Sequence, residues 1–262
     1  MADVLVEDSA SLGTVANTDS IYVVSGTQDI VTNVDQSALA GGLTIVDVAP
    51  RFTASFGTLS VPFKADIDQG SGIFRFAGSG QCFYHAGGGS AVCTKLRVLN
   101  GTMNLITGGT ITTAECMRGR MISAAAVTIT TLLVGGADVR IEGTTGTAST
   151  TVEMTDGSLY MRKGIAGGGT LSMYGGELVI DCGTNTIPTL NIYGGTLHLR
   201  NCGTITTMNL VKGDSAKIVV ARPITITTLN VWASVRGASA FTHISKLTIG
   251  TLNWIGDIGE IL

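Results

Sequence analysis

The chain has 262 residues, of which 13 % are charged and 44 % hydrophobic, with 36 glycines, 4 prolines and a formal net charge of −3. That charged share is about half the roughly 25 % of an ordinary soluble domain, and mean hydropathy is +0.39. No run of about 18 uninterrupted apolar residues occurs, which excludes a membrane-spanning helix, so a chain this apolar is expected to hide surface against further copies or a large partner.

Residues 1–20 read as an extended arm, polar and acidic, without helical period. Met1-Ala2-Asp3 has no basic start and no apolar core, so no secretory signal is expected. The first 50 residues hold seven acids (Asp3, Glu7, Asp8, Asp19, Asp29, Asp35, Asp47) and no Lys or Arg, a formal −7. The remaining 212 carry 12 acids and 16 bases, a formal +4. Such a lopsided field suits docking onto a basic surface. It argues against nucleic acid, and no basic stripe with interleaved aromatics occurs elsewhere. Strand candidates follow at 21–24, 43–46, 59–61 and 73–76, separated by turn-rich pieces such as Gly41-Gly42.

From about Lys95 to Val231 a short unit recurs. It reads apolar, polar, apolar, one or two more residues, then glycine, as in Leu171-Ser172-Met173-Tyr174-Gly175-Gly176 and Leu190-Asn191-Ile192-Tyr193-Gly194-Gly195. Marker glycines at 101, 119, 136, 157, 176, 195 and 213 are spaced by 18, 17, 21, 19, 19 and 18. A fixed short period signals a solenoid, and alternation inside each unit signals strands. The expected fold is all-β: a β-solenoid (β-helix) of about 18–20 residues per coil with an extended N-terminal arm. Residues 1–65 form the acidic arm and first strands, an anchor or end cap; residues 66–262 form the solenoid body with a C-terminal apolar cap. Leu190, Ile192, Leu197, Leu199 and Ile205 point inward, with Leu171, Met173, Leu178, Ile180 and Ile187 one coil earlier. The apolar finish, Leu252-Asn253-Trp254-Ile255 and 258–262, is a cap or a subunit contact.

Chemistry is sparse. The five cysteines, an odd number without a signal, are expected reduced. Asp181-Cys182-Gly183 and Asn201-Cys202-Gly203 occupy one coil position a turn apart, so those thiols should stack. Cys82 and Cys93 with His85 match no zinc spacing, and no metal or other cofactor is expected. Polysaccharide cleavage needs carboxylates on neighbouring coils. Here Glu177 and Asp214 align two turns apart with Thr196 between them, and Asp181 aligns with Asn201, so no catalytic residue is assigned and the chain is not expected to be an enzyme. Outward His198 has no nucleophile at a recognisable spacing, and Gly167-Gly168-Gly169 lacks the residues of a phosphate loop. A Thr-Ile-Thr-Thr tetrad recurs at 110, 128, 204 and 225. It would build a threonine ladder of the kind that binds ice, but the tetrads are interrupted between 132 and 203.

Asp19-Ser20-Ile21-Tyr22-Val23-Val24-Ser25-Gly26, Asn33-Val34-Asp35-Gln36-Ser37-Ala38-Leu39 and the repeated Thr-Leu-x-Ile/Met-Tyr-Gly-Gly units resemble structural proteins of tailed bacteriophages, specifically the auxiliary head proteins that decorate or cement the capsid. The resemblance touches residues 19–39 and about 95–231. It implies a virion protein on the capsid surface, assembled in the host cytoplasm, an HK97-type major capsid protein as partner, a homotrimer, and no catalytic motif. With the charge pattern, it makes Asp3, Glu7, Asp8, Asp19, Asp29 and Asp35 the candidate capsid contacts, and Trp254, Ile255, Ile258, Ile261 and Leu262 the candidate oligomer contacts. The alternative is a tail fibre or spike segment that binds a host surface glycan.

Overall fold

The computed structural model describes residues 3–6, 20–23, 30–32, 43–45, 51–55, 73–76, 81–85, 92–107, 109–123, 127–142, 149–165, 167–211, 216–232 and 241–255, with side chains from Lys95 onward. The chain is an all-β solenoid of coils about 19 residues long, its strands stacked in parallel. Among the described residues the one helical element is a 3₁₀ turn, Ile244–Lys246, and no helix is long and apolar enough to cross a membrane. Two compact units divide the chain, Met1–Thr147 and Ala148–Leu262.

In the first unit one ladder of parallel strands runs through Asp3–Val6, Ser20–Val23, Leu43–Ile45, Ile73–Phe76 and the segments 95–98, 113–116 and 131–134. Its register places Val4, Ile21, Leu43, Phe74, Leu96, Ala114 and Leu132 in one column. A second ladder joins Ile30–Thr32, Arg51–Ser55, Gln81–His85, Thr102–Thr107, Arg120–Ser123 and the segment 138–141. The parallel stack thus takes in Asp3–Val6 and Ser20 of the expected arm; its residues 1–2 and 7–19 lie outside the described residues.

In the second unit three ladders alternate along each coil. One carries 151–154, 170–173, 189–192, 207–210, 228–231 and 251–254. The next carries 158–161, 177–180, 196–199 and 217–220, then Phe241–Thr242. The third carries 186–187, 204–205, 225–226 and 248–249. The strands exist because apolar and polar residues alternate and because Thr, Ile and Val suit a pleated, half-buried surface. The core is a set of columns of like residues. Val152, Leu171, Leu190 and Met208 stack with no exposed surface, and Leu229 continues them. Each such side chain contributes roughly 1.5–3 kcal/mol of burial. All the inward positions expected in the two coils from Leu171 to Ile205 are buried.

Coil corners set the register. Gly176 and Gly195 have φ of 77° and 87°, where a Cβ is disfavoured. They also lie directly against the preceding coil: a Cβ on Gly195 would stand 2.6 Å from the Gly176 carbonyl oxygen. That oxygen accepts the Thr196 N–H at 2.8 Å, so the corner cannot back away without breaking an inter-coil bond. Gly167 has no atom within 4 Å of such a Cβ. Gly195→Ala should therefore cost about 1–3 kcal/mol in urea unfolding, whereas Gly167→Ala should stay within about 0.5 kcal/mol of the parent.

Candidate functional site

The outer face of the first ladder of the second unit is built from three files. Thr151, Thr170, Thr189, Thr207, Thr228 and Thr251 pair in sequence, one per coil. Within this unit the threonine file is therefore continuous by register, and it includes Thr151, Thr170 and Thr189, which belong to no tetrad. Beside it stand Ser172, Asn191, Asn209, Asn230 and Asn253. Each asparagine donates its Nδ2–H to the coil before: Asn191 to Ser172 Oγ at 3.2 Å, Asn209 to Asn191 Oδ1 at 2.7 Å, Asn230 to Asn209 Oδ1 at 2.7 Å and Asn253 to Asn230 Oδ1 at 2.9 Å. This is one directional chain of amides, with donor and acceptor of each inner member both engaged. The third file contains Tyr174 and Tyr193, whose rings stack 4.6 Å apart at 11°, on consecutive coils.

Several charged groups on the described rungs are paired across coils. Arg97 lies opposite Glu115, and its Nε donates to Glu115 Oε2 at 2.6 Å, while Lys95 holds Oε1. Burial raises the Glu115 carboxyl, but the hydrogen bonds and charges of Lys95 and Arg97 outweigh it and hold the group below its ordinary value. Arg120 meets Asp138 at 3.2 Å. His198 does point outward between buried Leu197 and Leu199, and its Nε2 lies 3.2 Å from Glu177 Oε1. Asp181 aligns with Asn201 and accepts the Tyr160 hydroxyl at 2.9 Å; burial and then this carboxylate push the phenol up. The register corrects one alignment. Glu177, Thr196 and Lys217 share a column, so the place two turns from Glu177 is a lysine; Asp214 is outside the described residues. Lys163 is buried, and desolvation lowers its pKa.

Among the described residues no three His, Cys, Asp or Glu side chains gather to hold a metal ion. Cys182 and Cys202 lie together, as their matching tripeptides predict. Their thiol–thiol hydrogen bond lowers the pKa of Cys182 and raises that of Cys202, and burial raises Cys116.

Of the oligomer-contact candidates, Trp254 and Ile255 lie on the strand Leu247–Ile255, the last described rung. Trp254 falls in the core column below Val231, yet it is 46 % exposed, and Ile255 is 38 % exposed. Leu252, which opens the apolar finish, sits below Leu229 and is 48 % exposed. Ile258, Ile261 and Leu262 are outside the described residues, as are Glu7, Asp8, Asp19, Asp29 and Asp35; Asp3 begins the strand Asp3–Val6. The chain matches no family model, no curated protein and no solved structure.

Two outcomes follow. Asn209→Ala leaves Asn191 Oδ1 and Asn230 Nδ2 without partners in a half-buried file, and should lower unfolding free energy by about 1–3 kcal/mol. Because the Glu115 pKa is depressed in the folded chain, its stabilisation is complete above the unfolded carboxyl value and is lost as pH falls through the folded one. Urea unfolding as a function of pH should show that loss in the parent and a flatter acid limb in Glu115→Gln.

Proposed function

We propose that this chain is a structural virion protein, a β-solenoid that decorates a phage head and stabilises it by bridging capsomers of an HK97-type major capsid protein. In this reading it is a homotrimer, assembled in the host cytoplasm, and it carries no catalysis. The observation that supports it most is the rung Leu247–Ile255. Its nine residues hold no charge, its single strand partner among the described residues is the preceding Ile224–Trp232, and three large apolar side chains stand open on it. An uncharged strand edge beside exposed Leu, Trp and Ile is the surface another protein chain covers. The acidic first 50 residues supply the complementary element, a field that steers docking onto a basic shell.

A second reading, a fibre or spike segment that binds a host glycan, is favoured by one observation. Tyr174, 46 % exposed, and Tyr193 put aromatic rings on consecutive coils beside a file of amides. Their rings cover one another on one side, which leaves less face for a sugar than separated platforms would.

Heads prepared from virus lacking this protein give the direct assay. The purified chain should co-sediment with them, and added salt should weaken the binding. A variant with Asp3, Asp8, Asp19, Asp29 and Asp35 changed to Asn and Glu7 to Gln should bind markedly less. Equal binding of the two would remove the acidic anchor, and failure of the parent to bind would remove the decoration role.

A further inference from the structure

Cys182 and Cys202 are the two described thiols that the register sets side by side. Each directly follows a member of the Asp181–Asn201 pair. Both are free and buried, at 3 % and 5 % exposure. Both sulfurs converge on one atom, the Asn185 carbonyl oxygen, with Cys182 Sγ at 3.6 Å and Cys202 Sγ at 3.9 Å. That oxygen also accepts the Gly203 N–H at 3.1 Å. Asn185 is held in turn, its Nδ2 and backbone N donating to the Cys182 carbonyl at 2.8 and 3.2 Å.

Among the described residues no other cysteine is set beside a cysteine by the register. Cys82 pairs with Phe52 and Met103, Cys93 with Ile111, and Cys116 with Val98 and Val134. Parallel strands lie about 4.8 Å apart, within the roughly 4.4–6.8 Å between Cα atoms that a disulfide bridges. The cover over the pair is thin. Thr184, Asn185 and Thr186 are exposed, and a Cβ on Gly183 would have no atom within 4 Å. Opening this one corner uncovers both sulfurs while the ladders on either side stay paired.

The geometry points to Cys182 and Cys202 as an oxidation site, at which a low-molecular-weight disulfide such as oxidised glutathione converts the two thiols into an intrachain bridge that clamps one coil to the next. The Cys182 thiolate attacks one sulfur of the reagent. The reagent S–S bond breaks, a mixed disulfide forms on Cys182, and the first small thiolate leaves. Cys202 Sγ then gives up its proton and attacks Cys182 Sγ, which expels the second thiolate. One protein disulfide has formed, one reagent disulfide has been reduced to two thiols, and the two protein protons end on those thiols. Cys182 acts first because the hydrogen bond from Cys202 favours its thiolate. The bridge closes a loop between adjacent coils, so it removes freedom from the unfolded chain.

The folded, full-length chain is incubated with oxidised glutathione, quenched in acid and mapped. The expected result is loss of two of the five thiols, an intact mass lower by two hydrogen atoms, a linked peptide pair containing Cys182 and Cys202, and a higher melting temperature. Dithiothreitol should reverse all four. Cys202→Ser should keep its melting temperature under the same treatment, and should Cys202→Ser not fold, peptide mapping of the parent decides alone. Retention of all five thiols, arrest at a glutathione adduct, or linkage through Cys82, Cys93 or Cys116 would overturn the assignment.

Discussion

Close contact of one coil's backbone with the next, in register, is the constraint on which the rest of this structure depends. At the Gly176 and Gly195 corners the chain turns with no side chain in the way, and the Thr196 N–H reaches the Gly176 carbonyl on the coil before. Once that contact is made, every residue is stacked on its counterpart. Inward positions become continuous apolar columns, and no coil need bury its own apolar face alone.

The same stacking governs the outside. Identical charges on neighbouring coils would sit about 4.8 Å apart and repel by about 3 kcal/mol at an effective dielectric of 20. Outward files are accordingly filled with Thr and Asn. Opposite charges stack where Arg97 lies over Glu115 and Arg120 over Asp138, and the one like pair by register among the described rungs, Arg75 over Arg97, has Glu115 on the next coil to offset it. The low charge content therefore has a source inside the fold as well as in hidden contacts. Asparagine tolerates repetition because it carries donor and acceptor together, so each amide satisfies the next. Threonine repeats for a simpler reason, its β-branched side chain fitting the half-buried pleat.

Much of this was legible in the sequence. The solenoid, the inward residues of the coils from Leu171 to Ile205, the outward His198 and the stacked thiols all follow from alternation, marker glycines and one repeated tripeptide. What escaped was whatever needed the register rather than the motif. Asp214 was matched to Glu177 by distance from the glycine, but the coil joining Asn209 to Asn230 is 21 residues long where its predecessor has 18, and the column receives Lys217. The threonine file was hidden because Thr151, Thr170 and Thr189 are not preceded by Thr-Ile-Thr, as Thr207 and Thr228 are. The asparagine chain gave no signal beyond a polar residue between two apolar ones. Leu252 was legible only as part of the apolar finish: its sequence context matches that of buried Leu229, and nothing in it separates a buried rung from an exposed one.

Assembly would complete what the described rungs leave open, a core column that runs buried from Val152 to Leu229 and then emerges at Leu252. The most direct measurement is electron microscopy of intact virions labelled with gold-conjugated antibody against this chain. Label distributed over the head is the result expected of a decoration protein. Label confined to the tail would contradict that account and move the function to host recognition through the outer files of the coils.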